Sequence, residues 1–580
     1  MPIVNADIAA VFSEIADLLE IEGANPFRVR AYRNAARMLG ELGRSVREMV
    51  ERREDLDALP HIGPDLAGKM VEIVNTGTCA QLVRLRQEIT PALVELLQLP
   101  GLGPKRVRAL HQELGIQTLE HLHYAAEQGR IQTVHGFGAK SERQILQASA
   151  MLLHQEPRYK LADAAPVVDV LLAALREAPG MHQAVVAGSL RRRRETVGDL
   201  DLLVTTERPG EVMQRFAGHE DVQRVLAKGV TRCSVVLKSG LQVDLRAIAP
   251  VSFGAAWMYL TGSREHNIAL RKLAQEAGLK LNEYGLYHGR ERIAGATEEA
   301  VFRALGLAFI EPELRENTGE IEAARCGTLP ELVQRSDLQG DLHVHTTDSD
   351  GYDSLQAMVQ AAQARSLHYL AITDHSKRLA LVHGLDASGL LRQMERIDAL
   401  NAQLQDFVLL KGIEVDILED GALDLPDDVL GRLDLVVGAV HSGFGLTREK
   451  QTQRLLRAMD HPYFSILAHP TGRLINERAA YDVDLGRVLR KARERGCFLE
   501  LNAHPARLDL TDGACRMAKS EGVLVSINSD AHSALQLDNL DYGMGQARRG
   551  WLQAGDVLNT RPLDQLRPLL AATLQGNRRS

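Results

Sequence analysis

Nine side chains in the C-terminal half are of the types that bind metal ions, and nearly all of them follow short apolar runs. They are six histidines and three carboxylates: His343, His345, Asp350, His375, Glu414, His441, His469, Asp530 and His532. A mixed imidazole and carboxylate set suits Zn, Mn or Fe better than Ca or Mg. Nine ligands exceed one tetrahedral site. The set therefore predicts two or three Zn²⁺ or Mn²⁺ ions, with iron as an alternative, and hydrolysis of phosphoesters.

A second group of carboxylates lies in the middle of the chain. Asp199 and Asp201 open an apolar strand, and Asp244 lies in a later strand, LQVDLRAI. Alternate residues of a strand share a face and are separated by about 7 Å, a spacing that suits a pair of Mg²⁺ or Mn²⁺ ions. The Gly188–Ser189 turn just before them can present N–H groups to phosphate oxygens. The pattern favours two-metal phosphoryl transfer over the alternative of a solvated strand edge.

The elements that must position these residues differ along the chain. After residue 339, seven apolar runs alternate mostly with helical segments, which predicts a mostly parallel barrel whose strand ends converge on one face. Residues 160–320 mix β-rich runs with helices, which is typical of α/β or α+β folds. Residues 1–150 have helical periodicity with three Pro/Gly elements, LPHIG, LPGLG and VHGFG.

Length and composition narrow the class of protein. The chain has 580 residues, 45% of them hydrophobic and 25% charged, so we expect a multidomain globular protein. Five scattered cysteines without a Cys-x-x-Cys motif favour a reducing, cytoplasmic location, and no apolar run is long enough to span a membrane. The net charge of −8 argues against nucleic acid at first sight, but most of the acidic excess lies in the C-terminal half. Basic residues concentrate at 191–194 and 105–108.

The C-terminal motifs resemble those of the PHP (polymerase and histidinol phosphatase) domains. The matching segments are DLHVHTTDSDG, ITDHS, GIEVD, AVHSG, LAHP and NSDAH, and they fill all nine ligand positions of that family. The resemblance implies a distorted seven-stranded (β/α) barrel with a trinuclear site and phosphoesterase activity. It also makes Arg507, in HPARLDL, a candidate phosphate-binding cation.

The middle region resembles the family X DNA polymerases. The segments GSLRRRRETVGDLD, VDLR, MYLTGSREHN and LNEYGLY carry the likeness. The resemblance implies a nucleotidyltransferase palm with a thumb, in which Asp199, Asp201 and Asp244 hold the metal ions. By position, the nucleotide would be held by Gly188, Ser189, Arg192, Tyr259, Gly262 and Asn267. Leu260 and Gln242 depart from the family's Phe and from the Arg of vertebrate members, which puts sugar discrimination and primer activation in question.

The three Pro/Gly elements resemble helix-hairpin-helix modules, which grip the DNA backbone without sequence preference. The predicted DNA contacts are Gly101, Gly103, Lys105, Arg106, Gly136 and Gly138. Ordinary helix packing is the alternative for any single element. Alignment with the 8-kDa domain of polymerase beta places Lys69 at the Schiff-base position of a deoxyribose-phosphate lyase, although Lys69 can equally be a solvated helix lysine.

Together these patterns predict a multidomain α+β and α/β protein. The predicted parts are an 8-kDa-like helical domain (1–90), a second helix-hairpin-helix region (91–155), the palm (156–250), the thumb (251–318), a linker (319–338) and the PHP barrel (339–575). The whole chain resembles bacterial family X polymerases fused to a PHP domain. This implies a monomeric repair enzyme that adds dNTPs at gapped or primed DNA and processes 3′ ends. Two alternatives stay open: a nuclease or phosphatase with a weak polymerase, and a polymerase whose PHP barrel is only structural.

Overall fold

The structure is a computed structural model, and it describes residues 5–41, 46–60, 62–99, 101–154, 158–378 and 384–574. The chain divides into two compact units: the described residues up to 154 belong to the first, and residues 158–378 and 384–574 belong to the second. Within these ranges, no helix combines the length and the apolar character needed to cross a membrane.

The described part of the first unit is helical. Its α-helices are α1 (Asn5–Glu22), α2 (Pro26–Glu41), α3 (Val46–Glu51), α4 (Pro64–Thr76), α5 (Ala80–Glu88), α6 (Pro91–Glu95), α7 (Pro104–Leu114), α8 (Leu119–Glu127) and α9 (Ala139–His154). Their apolar faces form one core that includes Ile8, Phe12 and Leu110. Each of the three Pro/Gly elements lies directly before a helix, at the starts of α4, α7 and α9.

The second unit begins with the sheet that carries the mid-chain carboxylates. Its first elements are β1 (Tyr159–Lys160), α10 (Leu161–Arg176), β2 (Met181–Val186), α11 (Gly188–Arg191), β3 (Thr196–Val197), β4 (Asp199–Thr206), α12 (Pro209–Ala217), β5 (Val222–Lys228), β6 (Arg232–Leu237) and β7 (Gln242–Ala247). Five of the strands form a mixed sheet in the order β2-β4-β7-β6-β5. Because β4 and β7 are parallel, Asp201 lies directly beside Asp244.

A smaller α+β region follows. It contains α13 (Phe253–Thr261), α14 (Arg264–Glu276), β8 (Lys280–Asn282), β9 (Gly285–His288), β10 (Glu291–Ala294), α15 (Glu298–Ala304) and α16 (Glu320–Cys326). The segment 319–338 is folded against its surroundings: it includes α16, and Glu320 and Val333 are completely buried. Val333 belongs to the core of the following barrel.

In the barrel, the seven predicted apolar runs form eight strands. Its elements are β11 (Gly340–Val344), α17 (Leu355–Ala364), β12 (Tyr369–Ile372), α18 (Ala387–Asn401), β13 (Val408–Lys411), β14 (Glu414–Asp416), α19 (Asp427–Leu430), β15 (Val437–Ala439), α20 (Arg448–Met459), β16 (Ile466–Leu467), α21 (Leu485–Arg495), β17 (Phe498–Asn502), α22 (Asp512–Glu521), β18 (Val525–Asn528), α23 (Leu540–Arg549) and α24 (Leu563–Thr573). Short 3-10 helices lie at Leu56–Ala58, Leu96–Gln98, Ile131–Thr133, Pro250–Ser252, Pro312–Leu314, Arg335–Asp337, Ala534–Asn539, Ala554–Asp556 and Leu558–Thr560.

All the named strands of the barrel pair in parallel. The ring of strands is interrupted between β13 and β14. The third run divides into β13 and β14 at Gly412, where an added Cβ would lie 2.8 Å from Thr373 Cγ2 and 3.0 Å from the Ile372 oxygen. The two resulting sheets have the orders β11-β12-β13 and β14-β15-β16-β17-β18. A parallel bridge between Val344 and Ala531 brings the chain after β18 back to β11. The break therefore lies immediately before Glu414.

Candidate active sites

The nine predicted ligands of the barrel meet at the C-terminal ends of its strands, around the carboxylate of Glu414. Its oxygens lie 2.8 Å from His375 Nδ1, 3.0 Å from His469 Nε2, 3.3 Å from His441 Nε2, 3.4 Å from His343 Nε2 and 3.6 Å from His345 Nε2. Asp530 lies 3.2 Å from His345 Nε2, and Asp350 lies 3.3 Å from His532 Nε2. One pocket thus gathers residues that span 190 positions of the chain.

Three overlapping groups within this cluster offer ligand atoms that lie within 4.8 Å of one another. They are His345, Asp350, His375 and His532; then His343, His345 and Asp530; and then His375, Glu414 and His441. His345 and His375 each belong to two groups. This sharing suits several neighbouring ions better than a single closed site.

The hydrogen bonding of the cluster tests whether it suits metal ions. Several of its buried atoms have no hydrogen-bond partner within the described ranges: His343 Nε2, both ring nitrogens of His345, His375 Nδ1, His469 Nδ1 and Glu414 Oε2. Buried polar groups are normally satisfied, and leaving one unpaired costs about 1–3 kcal/mol. A concentration of unsatisfied nitrogen and oxygen atoms in one place is what a divalent cation would relieve. The residues therefore fit a metal cluster.

Two buried carboxylates outside the predicted set orient the histidines. Glu500 Oε1 lies 2.7 Å from His343 Nδ1, and Asp416 Oδ1 lies 2.7 Å from His441 Nδ1. A carboxylate on one ring nitrogen fixes the tautomer, so the other nitrogen is available as a ligand. The sequence held a signal for Asp416, because it lies two positions after Glu414 on the same strand. Glu500, in the interior of β17, had no such signal.

The surroundings shift the pKa values of the cluster's histidines in opposite directions. Burial opposes ionisation, but Glu500, Glu414 and Asp530 raise the pKa of His343 well above its ordinary value. Against the same opposing burial, Glu414 and Asp416 raise the pKa of His441 to about 9. Burial and the neighbouring His532 and His375 instead lower the pKa of His345 to about 4. Metal ions would have to displace protons from the rings of His343 and His441.

Arg507 lies beside this cluster. Its Nε is 3.7 Å from Asp530 Oδ2, and its side chain is 22% exposed. Because the side chain reaches both the cluster and solvent, it is placed to meet an anionic group that approaches the cluster.

The mid-chain carboxylates form a smaller and more open site. Asp199 is exposed, Asp201 is half-buried and Asp244 is buried. Gln242 Nε2 donates to Asp244 at 2.9 Å, and Ser234 also donates to this carboxylate. Burial, followed by the negative charges of Asp199 and Asp244, raises the pKa of Asp201 to about 7. The nearby Arg246 and Arg192 lower this pKa but do not outweigh the other effects, so a cation would stabilise the site further.

The glycine turn before these carboxylates is tightly constrained. Gly188 has φ +63°, and a Cβ at this position would collide with the Asp201 carboxylate. Ala187 N–H donates to the Asp201 carbonyl oxygen at 2.8 Å. The turn that begins α11 therefore touches the carboxylate site directly, and Ser189 follows it.

The arginines after this turn are anchored to the following region. Arg192 donates to the Thr261 oxygen at 2.7 Å and to Glu316 at 2.9 Å. Arg191 pairs with Glu298 at 2.7 Å and lies over the Trp257 ring at 3.4 Å, so it has a structural role that the sequence did not reveal.

The predicted nucleotide residues around 259–267 form a compact turn beside Arg192. Asn267 Nδ2 donates to the oxygens of Tyr259 (2.7 Å) and Gly262 (3.1 Å). A Cβ on Gly262 would lie 2.8 Å from His266 Cδ2. The Arg192 bond to Thr261 places this turn next to the Gly188 loop.

In the first unit, two of the predicted hairpins are joined by one arginine. Gly101 and Gly136 have φ values of +82° and +88°, which favour glycine. Arg106 donates to the oxygens of Gly101 (2.9 Å) and Gly136 (3.1 Å). Lys105 is 86% exposed. Gly103 and Gly138 lie immediately before α7 and α9. Lys105 is therefore open to an anionic backbone, whereas Arg106 holds the hairpins together.

Lys69 is held by an ion pair with Asp65, and its side chain is 15% exposed. Burial opposes the charged form, but the hydrogen bond to Asp65 and the nearby Tyr32 raise the pKa of Lys69. A Schiff-base nucleophile requires a neutral amine. The lyase role of Lys69 stays a prediction, and the charge around it disfavours that role.

Comparison with known proteins identifies four matching family models. They are the Helix-hairpin-helix domain (residues 3–79), the SAM-like Helix-hairpin-helix tandem (93–149), the DNA polymerase beta thumb (256–316) and the PHP domain (341–504). They confirm the predicted helix-hairpin-helix, thumb and PHP parts of the fold.

Curated relatives match the chain as a whole and in its C-terminal part. The chain is 38% identical over 568 residues to the DNA polymerase/3′-5′ exonuclease PolX of Bacillus subtilis (strain 168), covering 97% of this chain and 99% of that protein. The C-terminal part is 27% identical over 232 residues to a probable phosphatase of Thermoanaerobacter sp. (strain X514), covering 38% of this chain and 89% of that protein. It is also 30% identical over 210 residues to a probable phosphatase of Acetivibrio thermocellus, with coverages of 35% and 82%.

Proposed function

Because the chain belongs to the bacterial PolX proteins, family X DNA polymerases that carry a PHP domain, we propose a separate chemical role for each of its two acidic sites. The protein is a DNA polymerase with a PHP-type 3′-5′ exonuclease or phosphoesterase activity. Both parts depend on divalent metal ions, and the helix-hairpin-helix region binds DNA. These conclusions confirm the predicted enzyme class.

The palm carboxylates Asp199, Asp201 and Asp244 would hold two Mg²⁺ or Mn²⁺ ions during addition of a dNTP to a primer 3′ end. Such ions, when bound, lower the pKa of the primer hydroxyl and neutralise charge on the triphosphate. Arg192 would bind the triphosphate from the Gly188 loop. The raised pKa of Asp201 supports this proposal, because it reflects negative charge that the protein itself compensates only in part.

The nine-residue cluster would hold two or three Zn²⁺ or Mn²⁺ ions, with iron as the alternative. Bound ions of this kind lower the pKa of a water molecule and neutralise charge on a phosphodiester. Arg507 would bind the phosphate, while Glu500 and Asp416 keep His343 and His441 in the ligand orientation. The observation that carries the proposal is the group of buried nitrogen and oxygen atoms in this pocket that have no hydrogen-bond partner among the described residues.

The substrate would be gapped, primed or 3′-damaged DNA, bound without sequence preference. Backbone recognition by glycine hairpins supports this, because such contacts do not read bases. Base excision repair in the cytoplasm, by a monomer, is the corresponding biological role. The division into six parts at residues 90, 155, 250, 318 and 338 belongs to the same proposal.

Site-specific variants separate the two roles. Asp199→Ala with Asp201→Ala should abolish nucleotide addition to a gapped primer and leave manganese-stimulated 3′→5′ degradation intact. His343→Ala should do the reverse and reduce bound metal. Loss of both activities in one folded variant would show that the sites are not independent. Unchanged degradation by His343→Ala would favour a purely structural barrel, and wild-type protein that fails to extend the primer would favour a nuclease.

A further inference from the structure

An arginine of the barrel reaches the nucleotide loop of the palm. Arg549 ends α23, and its side chain is only 4% exposed. Its Nη1 donates to the Arg192 carbonyl oxygen (3.1 Å) and to Glu316 Oε1 (2.8 Å). Its Nη2 donates to Asp512 Oδ2 at 2.6 Å. One helical turn earlier, a Cβ on Gly545 would lie 3.0 Å from Arg193 Cβ, so α23 packs closely against this loop.

Glu316 is the shared partner in this arrangement. The same oxygen, Oε1, accepts from Arg192 Nε (2.9 Å) and from Arg549 Nη1 (2.8 Å). Arg194 Nη1 lies 3.7 Å from that oxygen. One carboxylate is therefore surrounded by three guanidinium groups, two of them from the palm and one from the barrel.

The arrangement limits how strongly Glu316 can neutralise Arg192. The Arg192 guanidinium is fixed by one bond to Glu316 and one to the Thr261 oxygen. Arg549 takes part of the acceptor capacity of Glu316 and is itself anchored by Asp512. Without Arg549, Glu316 would be free to turn onto Arg192 and Arg194 and form the stronger bidentate pair. The cationic charge offered to a triphosphate would then decrease.

We infer that Arg549 of the PHP region is a positioning residue for polymerisation: through Glu316 it keeps Arg192 oriented and available to the dNTP triphosphate. The inference rests on the proposed role of Arg192 in binding the triphosphate. It makes the barrel a contributor to nucleotide affinity without any part in the nucleotidyl-transfer chemistry.

The neighbouring arginine provides a matched control. Arg548 also comes from α23 and also reaches out of the barrel, where it pairs with Glu313 at 2.8 Å and donates to the Val333 oxygen at 3.3 Å. None of its described contacts involves Arg192 or Glu316. A general effect of weakening this interface should therefore appear in both variants, whereas a positioning effect should appear only at Arg549.

The experiment uses the full chain with Mg²⁺, a gapped primer–template and one correct dNTP. Arg549→Ala should raise KM for the dNTP about three- to tenfold with kcat within about twofold, which is the range expected for coupling through a contact network. Arg548→Ala should leave both values within about twofold. Manganese-dependent 3′→5′ degradation should be unchanged in both. Equal KM values for Arg549→Ala and Arg548→Ala would overturn the inference.

Two further variants keep the test decisive. Arg192→Ala should raise KM strongly, and the double variant with Arg549→Ala should raise it no further, because both changes act on one interaction. If Arg192→Ala leaves KM unchanged, the proposed triphosphate role fails; if only Arg549→Ala has no effect, the inference alone fails.

If Arg549→Ala does not fold, Arg549→Lys takes its place in the experiment. A lysine cannot hold three acceptors in one plane, so KM should rise at least twofold, and a wild-type KM would refute the inference.

Discussion

The barrel cluster and the palm carboxylates are both suited to divalent ions, but they differ in how much of the site exists before an ion binds. In the barrel, His343, His345 and Glu414 are at most 1% exposed, and Glu500 and Asp416 fix two of the rings. In the palm, Asp199 is exposed, and the three predicted ligands are all carboxylates. The barrel residues therefore form a site of fixed shape, whereas the palm residues form a more open site that bound ions would have to complete.

The barrel and the palm also differ in how the charges of their carboxylates are compensated. In the barrel, neighbouring histidines, opposed by burial, lower the pKa of Glu414 and Asp530 well below their ordinary values. In the palm, burial and like charges raise the pKa of Asp201 to about 7. Protons on imidazole thus stand in for metal ions in the barrel, whereas in the palm the charges of Arg192 and Arg246 do not fully offset burial and the neighbouring carboxylates at Asp201.

Glu414→Gln should have the largest effect of the changes that test this comparison. The amide keeps the shape but removes the charge that faces five histidines. We expect a loss on the order of a thousandfold in 3′→5′ degradation and a lower content of tightly bound metal, because the carboxylate at the centre of the cluster is lost. Nucleotide addition should be unchanged. The exposed Glu419→Gln serves as control, and a Glu414→Gln variant that still degrades DNA at the wild-type rate would contradict a preformed cluster.

The sequence predicted the cluster because its ligands occupy one repeated position, the end of each parallel strand. That rule places His375 and His469 in one pocket without any knowledge of their contacts. Glu500 was not predicted, because a carboxylate inside an apolar strand has no repeated position. The division of the third strand at Gly412 was also missed, since it depends on the close approach of Thr373 and the Ile372 oxygen.

In the palm, too, contacts between residues that lie far apart in the sequence could not be predicted. The Asp-x-Asp pattern is local, so it predicted that Asp199 and Asp201 lie together. The partners of Arg192 are not local: Glu316 lies 124 positions later and Arg549 lies 357 positions later. Such pairings depend on how the palm packs against the thumb and the barrel, which no periodic pattern records. For the same reason, the segment 319–338 suggested a linker, although it contains a helix and buried residues.

Asp416→Asn should have an intermediate effect, because it loosens a ligand without removing one. The variant keeps His441 but replaces the carboxylate that orients it at 2.7 Å with a neutral amide. Loss of an outer carboxylate of this kind lowers metal affinity or activity about 10- to 100-fold. Metal retention after dialysis against a graded chelator series would measure the change, with the exposed Asp420→Asn as control. Retention equal to that of the control would mean that backbone packing alone holds His441.

A smaller effect is expected in the pH dependence of the two sites. A palm carboxyl whose pKa is raised to about 7 holds a proton below that pH and must release it to bind a cation. The Mg²⁺ concentration that half-saturates nucleotide addition should therefore rise roughly tenfold between pH 8 and pH 6, mostly below pH 7. The affinity of the metal-free barrel for added metal should still increase between pH 8 and pH 9. His441 and His532, whose pKa values are about 9, lose the protons that compete with metal in that range.

The Ser234→Ala variant tests how the palm holds the Asp244 carboxylate. Burial raises the pKa of Asp244, but hydrogen bonds from Ser234 and Gln242 and the charge of Arg232 outweigh it and keep that pKa low. Without the serine hydroxyl, Asp244 stays ionised near pH 7, but its carboxylate loses the donor that holds it in place. The Mg²⁺ requirement should therefore increase about two- to threefold, as expected for one lost hydrogen bond. The pH dependence of barrel reloading should not move. A Mg²⁺ requirement that is flat from pH 6 to pH 8 in the wild-type protein would show that Asp201 is ionised throughout, and the contrast in charge compensation would then be wrong.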